Sequence, residues 1–150
     1  MTFTLTLSAF ADGALIPAKF TCEGANVSPE LRWSNVPVNT RSFALIVDDP
    51  DAPGGTFTHW VLFEIPADRA SLAEGTNRIG VAGNNDFGRA SYGGPCPPRG
   101  HGPHRYFFTL YALDVASLKL KSGASRREVD TALRGHILAQ TQHVGRYERK

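Results

Sequence analysis

Apolar residues occupy every second position from Phe3 to Leu7, the period of a strand with one buried face. Leu15 to Thr21 predicts a second extended segment, and Leu31 to Trp33 a short strand after the loop Gly24 to Glu30. Phe43 to Val47 is a continuous apolar run ending on Asp48, Asp49 and Pro50, which predicts a central strand covered on both faces. His59 to Ile65 predicts the next strand, stopped by Pro66. The connection between them holds Pro50, Pro53, Gly54 and Gly55, so the two strands pair antiparallel. Folding about Gly54 then sets Asp49 nearly opposite His59 at one edge of the sheet. Arg105 to Leu113 is apolar on both parities and predicts a third long strand beside these two.

The remaining segments are shorter. Ala67 to Leu72 predicts one helical turn, and Glu74 to Ala90, rich in Gly and Asn, a surface loop. Tyr92 to His104, YGGPCPPRGHGPH, cannot be a regular helix or a central strand, because its prolines remove donors and its glycines remove side chains. Ser125-Arg-Arg-Glu128 has the pattern of a capping box, and Val129, Leu133, Ile137 and Leu138 follow at helical spacing. One or two short helices are expected after Ser122, broken near Gly135 and packed on the sheet.

Composition narrows the function classes. With 150 residues, 41% hydrophobic and 20% charged, the chain reads as a single globular domain over 1–150. The net charge of +2 comes from scattered basic residues, and the tail Arg146, Arg149, Lys150 is interrupted by Glu148, so nucleic acid is not an expected partner. No apolar run approaches the roughly 20 residues that span a bilayer, so integral membrane contact is not expected either. Met1 to Ala11 has neither the basic start nor the apolar stretch of a leader, and a cytoplasmic location follows as an expectation. Cys22 and Cys96 lie in no C-x-x-C motif, so free thiols are the default there, with a bridge as the alternative if the N-terminal loop folds back over the site. Phe3, Phe10, Phe20, Phe57 and Phe87 fall near loops or edge strands and predict an exposed apolar patch, hence a homodimer.

The candidate chemistry sits at strand ends: Asp48, Asp49 and Asp51, then His59, then His104. The Pro/Gly segment before His104 can lay backbone N–H groups against an anion. Each piece has a plainer reading. Asp-Pro-Asp initiates turns, and His59 shares the parity of Val61, Phe63 and Ile65, as a buried structural histidine would. Tyr92 and Tyr106, taken alone, fit core or surface aromatics better than ligand contacts.

The order of the pieces resembles a known family. DDPDAP from Asp48, His59-Trp60 opening a strand, YGGPCPPRG from Tyr92 and His104-Arg-Tyr106 are similar to the signature of the phosphatidylethanolamine-binding protein family. FTCEGANVSP from Phe20, Asn85-Asp-Phe87, LYALD from Leu110 and Gly135-His-Ile-Leu138 extend the resemblance over nearly the whole chain, toward its bacterial, Raf-kinase-inhibitor-like branch. The resemblance implies a mainly β fold, a central antiparallel sheet flanked by a smaller sheet with short C-terminal α-helices. It implies a site for a small anion such as phosphate, phosphorylethanolamine or a phospholipid head group. That site would comprise Asp49, Asp51, His59, Tyr92, Gly94, Cys96, Pro97, His104 and Tyr106, with His101 at a rim of variable length.

The function implied is non-enzymatic binding, with regulation of a protein partner such as a kinase, although recognition of Raf kinase belongs to eukaryotic relatives. A protease inhibitor and a hydrolase using the Asp/His pocket are the alternatives. No G-x-S-x-G motif supplies a nucleophile, and no close ligand pair supports a metal, so neither catalytic residues, metal nor cofactor is assigned. Anion binding is expected to strengthen as pH falls from about 8 to about 5.5, through protonation of His59 or His104.

Overall fold

A computed structural model describes residues 1–150. Its frame is a five-stranded antiparallel sheet with β3 (Ser42–Asp49) at the centre. β4 (Phe57–Pro66) pairs with one side of β3 and β7 (His104–Leu113) with the other, as the apolar runs predict. β6 (Val81–Ala82) extends the sheet beyond β4, and β8 (Ile137–Tyr147) beyond β7. A smaller sheet holds β1 (Thr4–Thr6), β2 (Leu31–Ser34) and β5 (Ser71–Leu72), all antiparallel.

The two faces of the large sheet have separate cores. On one, Phe43, Leu45, Val47, Trp60, Leu62, Phe108 and Leu110 pack against Leu5, Leu31, Trp33 and Leu72 of the small sheet. On the other, Ala44, Ile46, Val61 and Phe63 are covered by Leu118, Ala124, Val129 and Leu133. The last two belong to the helix α1 (Arg126–Leu133). Ser125 and Glu128 form the expected capping box at its start, the serine hydroxyl accepting from the Glu128 N–H.

Several expectations are corrected. There is one C-terminal helix: Gly135 takes φ 79°, a left-handed conformation that stops helices, and Ile137 and Leu138 open β8 rather than a second helix. The Arg146 end of the chain is therefore a sheet strand, whose outer edge is covered where Ile16 donates to the Arg146 carbonyl and Arg146 to that of Ala14. Ala67 to Leu72 yields the strand β5 in place of a helical turn, and Leu15 to Thr21 a single bridge and a 3₁₀ turn over Ala18–Phe20. Phe3, Phe10 and Phe20 are buried in the first core, and Phe57 is half-buried. The patch on which a homodimer rested is therefore reduced to Phe87. Cys22 and Cys96 are bonded to each other, so the free-thiol expectation gives way to a disulfide across Cα atoms 5.4 Å apart.

Candidate functional site

Two backbone features place the site. The first is a β-bulge in β4. Val47 pairs with Trp60 and Asp48 with Thr58, leaving His59 as the extra residue. By simple alternation His59 would share the face of Val61 and Phe63, under α1. The bulge turns it to the opposite face, where its ring meets the edge of Tyr106 at 5.2 Å between centroids. The second is the strand end just past the last β3–β7 pair, Asp48 with Phe107, where the side chains of Asp49 and His104 meet.

These groups line a cavity of about 200 Å³ together with Ala52, Pro53, Phe57, Phe87, Cys96, Pro97 and Pro98. The walls are largely apolar. The polar groups, Asp49, His59, His104 and Tyr106, are all buried.

The hydrogen bonds fix their roles. His104 Nδ1 lies 2.7 Å from Asp49 Oδ2, so the N–H there donates to the carboxylate and leaves Nε2 for other partners. The other oxygen of Asp49 accepts from the Asp51 N–H at 2.7 Å. His59 Nδ1 donates to the Gly93 carbonyl at 2.8 Å, and burial pushes its pKa below the ordinary imidazole value. His59 is therefore neutral with a bare Nε2, an acceptor. The expectation that it supplies a charged donor near neutral pH is corrected on this ground. The Tyr106 hydroxyl has no partner, and burial, reinforced by the Asp49 carboxylate, raises its pKa, so it keeps its proton as a donor.

The other predicted site residues lie outside the cavity. Asp51 faces away into a pair with Arg105, accepting from its backbone N–H, Nε and Nη2 at 2.9 Å each. That guanidinium lowers the Asp51 pKa to about 2. The Tyr92 hydroxyl donates to the Phe20 carbonyl at 2.7 Å, and its phenol is pushed up by burial. Gly94 N–H donates to Asn26 Oδ1 at 2.9 Å, and a side chain there would strike the Phe20 carbonyl. Tyr92 and Gly94 thus hold the Pro/Gly loop against the turn over Ala18–Phe20, and both line a second cavity of about 240 Å³ behind Phe87 and Cys96.

Sequence reasoning missed Phe87, Phe57 and the three residues Ala52, Pro53 and Pro98 as walls. Phe57 stands two residues before His59, and that spacing was a usable signal. It also left His101 unassigned, whose Nδ1 is 2.6 Å from Nε2 of His104.

Comparison with known proteins gives the family and the fold. The family model described as phosphatidylethanolamine-binding protein matches residues 6–148. A protein of Aquifex aeolicus described as UPF0098 protein is 52% identical, over 94% of this chain and 85% of its own. A Mycobacterium tuberculosis protein described as putative lipoprotein LppC is 45% identical, over 97% of this chain and 72% of its own. Among solved structures, Escherichia coli YbcL, described as a new member of the mammalian PEBP family, superposes with a TM-score of 0.94 at 36% identity, over 100% of both chains. No helix of this chain is long and apolar enough to cross a membrane. The chain belongs to the phosphatidylethanolamine-binding protein family.

Proposed function

We propose that the cavity binds a small oxyanion, phosphate or the phosphate of an ethanolamine-type head group, without turning it over. The observation that carries this reading is the Tyr106 hydroxyl, fully buried and unpartnered in the cavity lining. A buried hydroxyl without a hydrogen bond costs about 1–3 kcal/mol, and a ligand oxygen that accepts from it removes that cost. His104 adds a second oriented group through Nε2. The neutral Nε2 of His59 is an acceptor and suits a ligand oxygen that still carries its proton. The charge of Asp49 opposes an anion, and a proton on His104 offsets it.

The lining favours binding over hydrolysis. It contains no Ser, Thr or Lys, the Cys96 sulfur is tied in the disulfide, and both oxygens of Asp49 are already engaged. In this reading a kinase or protease partner would sense whether the cavity is filled. The Cys22–Cys96 bridge weighs against a reducing cytoplasm, where such bridges are rare outside hyperthermophiles.

Titration calorimetry with phosphate and with phosphorylethanolamine tests the reading on wild type, Tyr106→Phe and His104→Ala. Wild type binds, and each variant loses roughly tenfold in affinity. Unchanged binding in both variants would place the ligand elsewhere.

A further inference from the structure

His101 stands outside the cavity lining, exposed, between Gly100 and Gly102, whose φ values are 72° and 87°. Yet its Nδ1 lies 2.6 Å from Nε2 of His104, with the ring centroids 4.9 Å apart. His104 has committed Nδ1 to Asp49, so Nε2 is its one nitrogen available to a ligand. An imidazole nitrogen makes a single in-plane hydrogen bond. One proton lies between the two rings. Either His101 donates to a neutral His104, or a protonated His104 donates to a neutral His101. In both cases His101 occupies the place a ligand oxygen must take.

We infer that His101 is a resident competitor of the ligand, so that an oxyanion binds by displacing the His101 imidazole and leaving His104 protonated on Nε2. This rests on the oxyanion reading of the cavity and sets its affinity. The exchange needs little rearrangement. Side-chain positions at Gly100 and Gly102 meet no atom within 4 Å, so the segment around His101 is unpacked. Its base stays fixed: Gly100 N–H donates to the Arg149 carbonyl at 2.9 Å, and Arg149 Nε to the Pro97 carbonyl at 2.7 Å.

The displacement also moves a proton. When the resting pair is neutral, His104 takes one from solvent or from the ligand. The charged and titratable groups facing the pair are Asp49 on β3, His59 on β4, Tyr106 on β7, and the Asp51–Arg105 pair at the rim. Burial keeps His59 neutral and Tyr106 protonated, and Arg105 keeps Asp51 ionised. A proton taken up on binding therefore goes to the His101–His104 pair.

The test is calorimetry of inorganic phosphate binding to the full chain at pH 7, in two buffers of different ionisation heat, after correction for the ligand's own ionisation. The proteins are wild type, His101→Ala and His101→Asn. Removing the competitor tightens binding by roughly fivefold, the worth of one hydrogen bond. His101→Asn keeps a donor for His104 and returns the affinity toward wild type. Proton uptake on binding, read from the difference between the two buffers, marks a neutral resting pair, and its absence marks a His104 already protonated toward His101. Nitrogen NMR of the free protein shows the His104 Nε2 signal shifting in His101→Ala. If His101→Ala binds phosphate as wild type does, or more weakly, His101 is a bystander or a ligand contact; the competitor is refuted and the oxyanion reading stands. If neither wild type nor His101→Ala binds phosphate or phosphorylethanolamine, the oxyanion reading fails and the competitor with it.

Discussion

The Cys22–Cys96 bridge joins residues 74 apart in sequence, and removing it by Cys22→Ser with Cys96→Ser gives the clearest stability prediction. In the chain-entropy account, closing a loop of that length removes about 15 cal/mol/K from the unfolded chain, or about 4.4 kcal/mol at room temperature. That figure is a ceiling, because a real unfolded chain is already compact, and measured losses are typically about 2–4 kcal/mol. The native contacts around the bridge survive its removal. Cys22 N–H donates to the Pro95 carbonyl at 3.1 Å, Gly94 N–H to Asn26, and the Tyr92 hydroxyl to Phe20. The variant should therefore fold, unfold at lower urea with a loss of about 2–4 kcal/mol, and show a larger m value, since its unfolded state is more expanded. Urea unfolding followed by tryptophan fluorescence measures both. A loss under about 0.5 kcal/mol would mean that the bridge does not restrict the unfolded chain as the entropy argument requires. Two titratable thiols in the denatured, unreduced protein would remove its premise.

Further outcomes follow from single residues. Tyr106→Phe removes an unpartnered buried hydroxyl, so thermal unfolding should show unchanged or higher stability, by up to about 1 kcal/mol, while ligand affinity falls; a large destabilisation would mean that the hydroxyl has a structural partner. Gly94→Ala drives a Cβ into the Phe20 carbonyl and Asn26, and should cost about 3 kcal/mol in denaturant unfolding; a neutral change would show that the Pro/Gly loop is not pinned there. The pKa of His59 is lowered by burial, so below about pH 6.5 the unfolded chain binds more protons than the folded one. Its contribution to stability is complete above that pH and is lost as pH falls toward the folded value. Stability measured from pH 7 to 5 should decline, and His59→Asn, which keeps a donor for Gly93, should decline less; equal slopes would show that His59 is not held neutral.

What was legible in the sequence was the part written in local pattern. The apolar runs at Phe43–Val47, His59–Ile65 and Arg105–Leu113 identify the three adjacent strands, and the Ser125–Glu128 pair marks the start of α1. The spacing of Leu133 and Ile137 imitates a helix because they stand four positions apart, but Gly135 ends the helix between them. β8 alternates in burial but not in character: Gln140 and Gln142 look outward, while the inward positions hold Ala139, Thr141 and His143 rather than large apolar residues, so no hydrophobic period announces a strand. The orientation of His59 was illegible for a stronger reason. One extra residue inverts the parity of everything beyond it, and a bulge leaves no mark in a pattern of side chains. The disulfide was illegible too, because whether two distant cysteines meet depends on the finished fold.

Three buried histidines show how the fold separates scaffold from site. His143 donates from Nε2 to the Phe10 carbonyl, 2.8 Å away, and packs its ring against Phe10, away from the cavity of Asp49 and His104. A carbonyl accepts only, so that nitrogen carries the proton and the residue is part of the wall. His59 and His104 also spend one nitrogen on the scaffold, at Gly93 and Asp49, but differ in what that choice leaves. The carbonyl beside His59 adds only a dipole, too little to offset burial, and the ring stays a neutral acceptor. The carboxylate beside His104 fixes the proton on Nδ1 and turns Nε2 toward the cavity, where it donates whenever it carries a proton. One strand end thus presents an acceptor on β4 and a chargeable donor on β7, with the Tyr106 hydroxyl as a second donor. That arrangement does not match a fully ionised anion, which offers acceptors alone. In the proposed reading it suits an oxyanion retaining one proton, whose O–H would meet His59 while its bare oxygens would meet His104 and Tyr106.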